Sequence, residues 1–272
     1  MADSIIPPKE YTAQGEKIRH MDTAEAYDRW AEVYDTDGNF LQALDTIEMQ
    51  TLLPELLSRI KSTSPLKVVD LGCGTGRNTI QLINLLLNGP DFSTKDISVV
   101  GLDVSRGMLD VARTRLNEVL PTSTTTIKTH LETYNLLTQP TPPPSSQNST
   151  AIISTLVLEH IPLQPFFAAA SSMLSRQQDT YLLLTNMHSD MGAISQAGFV
   201  DPVSGEKIRP TSYAHKVRDV VEAARGEGFE VLGEVVERRV DEGLAPRLGK
   251  RAGKWVGVVV WFGVCFVRRK VE

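Results

Sequence analysis

Val68-Val69-Asp70-Leu71-Gly72-Cys73-Gly74-Thr75-Gly76 is the stretch whose residue types and spacing bear most directly on chemistry. A short β-forming run ends in an acid, and glycines at alternate positions let a ligand approach the backbone closely. A helix that begins just after Gly76 aims its free N–H groups at the same space, which suits a carboxylate or a phosphate. The Gly-x-Gly-x-Gly spacing differs from the Gly-x-Gly-x-x-Gly of dinucleotide sites and disfavours a nicotinamide oxidoreductase. In Val99-Val100-Gly101-Leu102-Asp103 a second acid ends the next strand. A carboxylate there can accept two hydrogen bonds from a ribose diol. Each piece alone reads as a tight turn and a helix cap; the two in register on consecutive strands point to a nucleoside site.

The elements that must position these residues follow from periodicity. Residues 1–22, polar and carrying Pro7-Pro8, read as a flexible arm. Tyr27, Trp30, Val33 and Tyr34 share one helix face, and a second helix spans Phe40 to Ile60 with Pro54 as a kink or break. Strands are expected at 67–71, 98–102, 125–131, 151–156 and 180–185, alternating with helices at 78–87, 107–120 and 163–174. A further helix over 213–226 precedes two closing strands, 230–238 and 254–268. The fold class is therefore α/β, a doubly wound, mostly parallel, Rossmann-like sheet of seven strands. An antiparallel pair forms one edge, and an N-terminal helical lid over 23–60 caps a single domain, 23–272. The Pro/Ser-rich tract 139–150 reads as a mobile loop without a function of its own.

Composition narrows the class. The 272 residues carry 28 basic and 33 acidic side chains, a net charge of −5, with 41% apolar residues. That balance argues against extended disorder and against holding a nucleic-acid backbone by counterion release. Two cysteines, Cys73 and Cys265, make neither a disulfide framework nor a zinc cluster. The N-terminus lacks a basic and then apolar leader pattern, and the apolar run Trp255–Val267 is shorter than the roughly 20 residues a bilayer span needs. A cytoplasmic protein without membrane or nucleic-acid partners is expected.

Asp70 to Gly76 resembles the first motif of the class I S-adenosylmethionine-dependent methyltransferases nearly letter for letter, and Gly101 to Leu109 resembles their second. Leu156-Val157-Leu158-Glu159-His160-Ile161 is similar to the element after the fourth strand in their small-molecule branch. The resemblance spans about residues 23–270. It implies S-adenosyl-L-methionine as cofactor, with Gly72, Cys73 and Gly74 facing its methionine part and Asp70 beneath the amino group. It implies further that Asp103 binds the ribose, that Val104 and Met108 flank the adenine, and that Leu156 lines the same site. Tyr27 and Tyr34 match a Tyr-Asp-x-x-Ala-x-x-Tyr-Asp helix that lids the cofactor. For the adenine amino group Glu132 and Asn135 compete. The Phe-Asp that commonly opens the fourth strand in relatives is replaced here by a Ser/Thr tract.

Methyl transfer from a sulfonium is mostly alignment, and a hydroxyl acceptor gains from a general base, most often His. Of His20, His130, His160, His188 and His215, the pair His188 and His215 is assigned the catalytic role. His188 lies just past the fifth strand, beside Asp190, and His215 starts the helix before the closing strands. The expected reaction is methyl transfer to a small-molecule acceptor, most simply a hydroxyl of a secondary metabolite. A protein or nucleic-acid acceptor, or a silent cofactor-binding relative, is the alternative. No acidic cluster of metal-ligand spacing appears, so no metal is expected.

Overall fold

The computed structural model describes Ile5 and residues 17–61, 63–93, 96–120 and 127–270. Along the chain run β1 (Ile18–His20), α1 (Thr23–Trp30), α2 (Phe40–Ile60), β2 (Leu66–Leu71), α3 (Arg77–Asn88), β3 (Ile97–Asp103), α4 (Arg106–Val119) and β4 (Ile127–Thr133). Then follow β5 (Ala151–Thr155), α5 (Leu163–Met173), β6 (Thr180–Met187), α6 (Ser189–Ile194), β7 (Phe199–Val200) and β8 (Lys207–Arg209). The chain closes with α7 (Val217–Gly226), β9 (Glu230–Val231), β10 (Val236–Arg239), the single turn α8 (Ala245–Leu248) and β11 (Val259–Arg268). Polar caps start the helices that matter to the site. Asp22, Asn39 and Ser105 side chains accept from the N–H groups of Ala24, Leu41 and Met108.

The main sheet has the order β10-β11-β6-β5-β2-β3-β4, with β9 also pairing β11. The five strands from β4 to β6 are parallel, and β11 is antiparallel to β6, β9 and β10. The chain winds outward from β2 to β3 and β4, then returns to β5 on the other side. The crevice at that switch point opens at the carboxyl ends of β2 and β5, where Gly72–Gly76 and Leu156 lie. Alternate residues of the strands feed two cores. Val69, Leu71, Leu182 and Phe266 pack with Phe166, Phe167 and Phe229 on one face. Leu66 and Val68 pack with α2 and α3 side chains such as Leu53, Leu56 and Leu82 on the other.

Several expectations are corrected here. Residues 18–20 of the expected arm form β1, which runs parallel to β8 in a small second sheet with β7. Ile5 bridges Tyr213, while residues 1–4 and 6–16 lie outside the described residues. α2 is no lid. Its Leu44, Met49, Leu53 and Ile60 are fully buried, so it is a sheet-covering helix, and only α1 and the turns to Asp37 overlie the crevice. Pro54 leaves α2 unbroken because it sits on the exposed face, where a carbonyl without its N–H partner meets water. The expected strand 230–238 is split into β9 and β10 at Gly233, whose φ is +82°. The tract 139–150 is packed rather than loose: Ser146 and Ser149 are fully buried, and Lys67 Nζ donates to the Gln147 carbonyl at 2.7 Å. The start of the expected strand at 125–126 lies outside the described residues.

An acid inside the core ties α2 to the sheet. Asp45 Oδ2 accepts from Arg77 Nη2 (2.7 Å) and Asn78 Nδ2 (3.0 Å), and its Oδ1 from Thr185 Oγ1 (2.5 Å) and Trp261 Nε1 (3.0 Å). A buried carboxylate is tolerated because a cation and three further donors satisfy it.

Candidate functional site

The glycine turn after β2 is held open by its neighbours. Gly72 has φ +78°, and a β-carbon there would overlap the side chain of Val157. Gly74, at φ +53°, has open space where a side chain would be. The Gly74 N–H donates to Asp103 Oδ2 and the Ser105 N–H to Oδ1, each at 2.8 Å. One carboxylate therefore draws the first turn and the start of α4 together, and each of its oxygens keeps an accepting position for a ligand. Burial pushes the Asp103 carboxyl up to about 6.

Above this turn lies a cavity of about 260 Å³. Its floor includes Gly72, Cys73, Gly74, Asp103 and Val104, and Asn78 and Thr155 extend it toward β5. Tyr27 and Tyr34 close it from above, with Leu156 and His160 on the far wall. Burial raises the phenol pKa of both tyrosines, so both are neutral hydroxyls.

The tyrosines alternate with two aspartates that fasten them. Asp28 Oδ1 accepts from Ser105 Oγ (2.6 Å) and from the Gly107 N–H (2.9 Å) at the start of α4, where a negative charge suits the helix dipole. The approach needs a glycine, since a β-carbon on Gly107 would lie 3.1 Å from the Asp28 carbonyl oxygen. Asp35 accepts from Thr75 Oγ1 (3.0 Å) and pairs with Arg115 (2.6 Å). Trp30 stacks on Phe199 with centroids 4.8 Å apart. The aromatic segment is thus both core and cavity roof.

His160 is the histidine that reaches the cavity. Its Nδ1 lies 2.7 Å from the Thr211 carbonyl, which can only accept, so Nδ1 carries the hydrogen. Nε2 then accepts from the Tyr27 hydroxyl at 2.8 Å. Burial lowers the imidazole pKa to about 4, so the ring is neutral at physiological pH.

The two histidines assigned to catalysis are not on this wall. His188 is consumed locally: the Asp190 N–H donates to its Nδ1 at 3.1 Å, capping α6, and its Nε2 pairs with Glu237 Oε1 at 2.9 Å. His215 Nε2 donates to the Ile161 carbonyl at 2.9 Å, and its ring stacks on Tyr213. The helix expected from Tyr213 begins only at Val217, because the Tyr213 N–H is drawn to the Glu159 carbonyl and keeps this segment extended along the cavity. His20 lies on β1, and His130 is exposed on β4.

Of the residues assigned to the cofactor, three stand back from the cavity. Asp70 is buried behind the glycine turn, where Oδ2 accepts from Thr79 Oγ1 at 2.5 Å and Oδ1 has no partner among the described residues. Burial pushes its carboxyl up to about 7. Met108 is fully buried against the α1 side chains. Glu132 points away on β4, whereas Asn135 lines the cavity with Tyr134 and Leu137. Composition and spacing left the polar wall residues Asn78, Thr155, Thr211 and Tyr213 unmarked. Of these, Asn78 has a signal in the chain as the second residue of the helix after the glycine turn, and Tyr213 as the start of a Tyr-x-His element with His215.

A glycine cradle, an acid with spare acceptor positions and a cavity bordered by aromatic rings fit a nucleoside bearing a charged amino-acid tail. Among the described residues no group of His, Cys, Asp and Glu is placed to hold a metal ion, and no helix is long and apolar enough to cross a membrane.

A family profile described as a methyltransferase domain matches residues 68–177. An uncharacterized methyltransferase of Emericella nidulans is 48% identical over 274 aligned positions, covering 93% of each chain. Among solved structures, the chain is similar to an S-adenosylmethionine-dependent methyltransferase from Mesorhizobium loti, with a TM-score of 0.53, 19% identity, and 79% of this chain and 96% of that one covered. It is also similar to magnesium protoporphyrin IX methyltransferase from Synechocystis with bound S-adenosylhomocysteine, with a TM-score of 0.56, 18% identity, and 90% and 95% covered.

Proposed function

The chain belongs to the class I S-adenosylmethionine-dependent methyltransferases, and on that premise we propose that it methylates a hydroxyl of a small-molecule acceptor. The observation that carries this reading is the Tyr27–His160 hydrogen bond on the wall of a cavity of about 260 Å³. When bound, S-adenosylmethionine supplies a sulfonium methyl already activated for displacement.

The chain's own residues have four tasks. Asp103 accepts from the ribose hydroxyls with the positions its backbone partners leave open. Gly72, Cys73 and Gly74 let the methionine part lie against the backbone, and burial keeps the Cys73 thiol protonated beside it. Val104 on one side and Asn135 and Leu137 on the other border the adenine. Tyr27 and Tyr34 line the same cavity, where an aromatic ring face would attract a sulfonium by roughly 0.5–2 kcal/mol.

The proton of the acceptor hydroxyl passes to the Tyr27 oxygen as Tyr27 passes its own to His160 Nε2. Burial keeps that nitrogen unprotonated at neutral pH and makes it a weak base, which suffices because the acceptor oxygen becomes strongly acidic as it bonds to the methyl. α1 partly covers the cavity, which favours a small acceptor, and the net charge of −5 does not favour a nucleic-acid backbone. The experiment is incubation with labelled S-adenosylmethionine and a metabolite extract from the source organism, followed by mass spectrometry. A labelled small molecule carrying one added methyl is expected. Label found only in protein or nucleic acid would overturn the acceptor class.

A further inference from the structure

A second cavity lies beyond the first, and Tyr27, Tyr34 and Leu156 line both. Leu156 holds the boundary with φ +56°, a left-handed backbone that a leucine rarely adopts and that surrounding structure must enforce. Aromatic side chains Trp30, Phe40 and Trp255 form much of the outer chamber's wall.

Its charge differs from that of the rest of the protein. Arg251 and Lys254 line the chamber. Lys207 and Arg209 stand just behind it, bonded to the Gly198 carbonyl (3.1 Å) and to Gln196 Oε1 (3.3 Å) on its wall. The four cations are close enough that Arg209, Arg251 and Lys254 all act on the Lys207 ammonium, whose pKa burial and these like charges lower. Two carboxyl groups face them. Asp37 is occupied by Trp30 Nε1 (3.1 Å) and the Asn39 N–H (2.9 Å), with Arg251 3.9 Å away. Glu159 is buried, and its pKa is pushed up to about 7.

Positive charge therefore exceeds negative here, in a chain whose net charge is −5. Lys254 makes no ion pair among the described residues, and its Nζ lies 5.2 Å from the Trp255 ring centroid. The Trp255 Nε1–H, on a side chain only 3% exposed, has no partner among the described residues. A buried donor left unmatched is costly.

We propose that this outer chamber is the methyl acceptor's pocket and that it selects a carboxylate-bearing molecule with a flat apolar body. The carboxylate sits between Arg251 and Lys254. The body lies among the aromatic rings, and the group to be methylated reaches the boundary at Tyr27, Tyr34 and Leu156. The assignment rests on the methyl-transfer reading above and adds to it the charge class of the acceptor and the residues that choose it.

The test uses benzoate and its neutral counterpart benzamide as probes, titrated calorimetrically into the protein saturated with S-adenosylhomocysteine. Benzoate is expected to bind at least tenfold more tightly than benzamide, and added salt should weaken only benzoate. The double variant R251Q/K254Q should lose that preference while S-adenosylhomocysteine affinity stays as in the wild type. Lys254→Arg, which keeps the charge, should retain it. Equal affinities for the two probes, no saturable benzoate binding at millimolar concentrations, or a preference that survives in R251Q/K254Q would overturn the proposal. Failure of S-adenosylhomocysteine itself to bind would instead strike the reading on which it rests.

Discussion

Tyr27 and His160, separated by 133 positions in the chain, share a 2.8 Å hydrogen bond on the wall of the cavity above the glycine turn. The bond joins α1 to the turn after β5. It also sets the imidazole tautomer, since the Thr211 carbonyl claims the Nδ1 hydrogen. A donor at Nε2 favours the neutral ring, in the same direction as burial. In Tyr27→Phe the His160 pKa should therefore rise from about 4 by up to about one unit, the worth of one neutral hydrogen bond. NMR titration of the His160 ring protons reads this directly. An unchanged titration would mean that the phenol does not donate to Nε2.

Asp103→Asn should weaken S-adenosylhomocysteine binding by roughly 10- to 150-fold. That corresponds to about 1.5–3 kcal/mol for a hydrogen bond to a charged group. The amide keeps one acceptor for the Gly74 or Ser105 N–H, so the glycine turn should survive. Calorimetry gives the affinity, and a thermal melt of the free variant checks the fold. Wild-type affinity would leave Asp103 as a strand-end residue that only organises the turn.

Asp45→Ala should lower stability by about 3–5 kcal/mol, because Arg77 would be left without its counter-charge in a largely buried setting. Urea unfolding at neutral pH measures it. A loss under 1 kcal/mol would mean that water enters and replaces the carboxylate.

Stability of the free protein should decline as pH rises from about 4 to 7. Burial raises the carboxyl pKa of Asp70 to about 7, Asp103 to about 6 and Glu159 to about 7. In that window the folded protein holds protons that the unfolded chain has released, so the stabilising contribution is complete below the unfolded pKa values and lost as pH passes the folded ones. His160 works against this, because its folded pKa is lowered to about 4 and the unfolded ring binds a proton up to about 6.5. Three carboxyls outweigh one imidazole. Asp70→Asn should make the fall in urea midpoint between pH 5 and 7 shallower, and an identical slope would show that Asp70 is ionised in both states.

Asp28→Ala should free α1 from the start of α4 without touching either cavity. Amide exchange over residues 23–30 is expected to quicken in the free protein and to slow again when cofactor binds beneath Tyr27. If exchange there is as slow as in the wild type, the stacking of Trp30 on Phe199 is what holds the segment.

The chain by itself determined the alternation of strands and helices, the parallel sheet and the place of the glycine turn. Those are local matters: periodicity of apolar side chains, caps at Asp22, Asn39 and Ser105, and glycines where the backbone must turn sharply. The positions of Gly72, Gly74 and Asp103 were legible for the same reason, since each lies within or beside its own strand end. Tertiary structure decided the rest. Which histidine meets the cavity depends on where the segments after β5 and β6 are pinned, and a single carbonyl from Thr211 or Glu159 settles that. His188 and His215 were preferred to His160 along the chain, but distant partners such as Glu237 and Ile161 claim them. The role of Asp45 and the gathering of Lys207, Arg209, Arg251 and Lys254 were likewise invisible, because their partners come from elements far apart in the chain. Local spacing specifies elements, whereas the pairing of buried polar groups is specified only when the whole chain has closed around them.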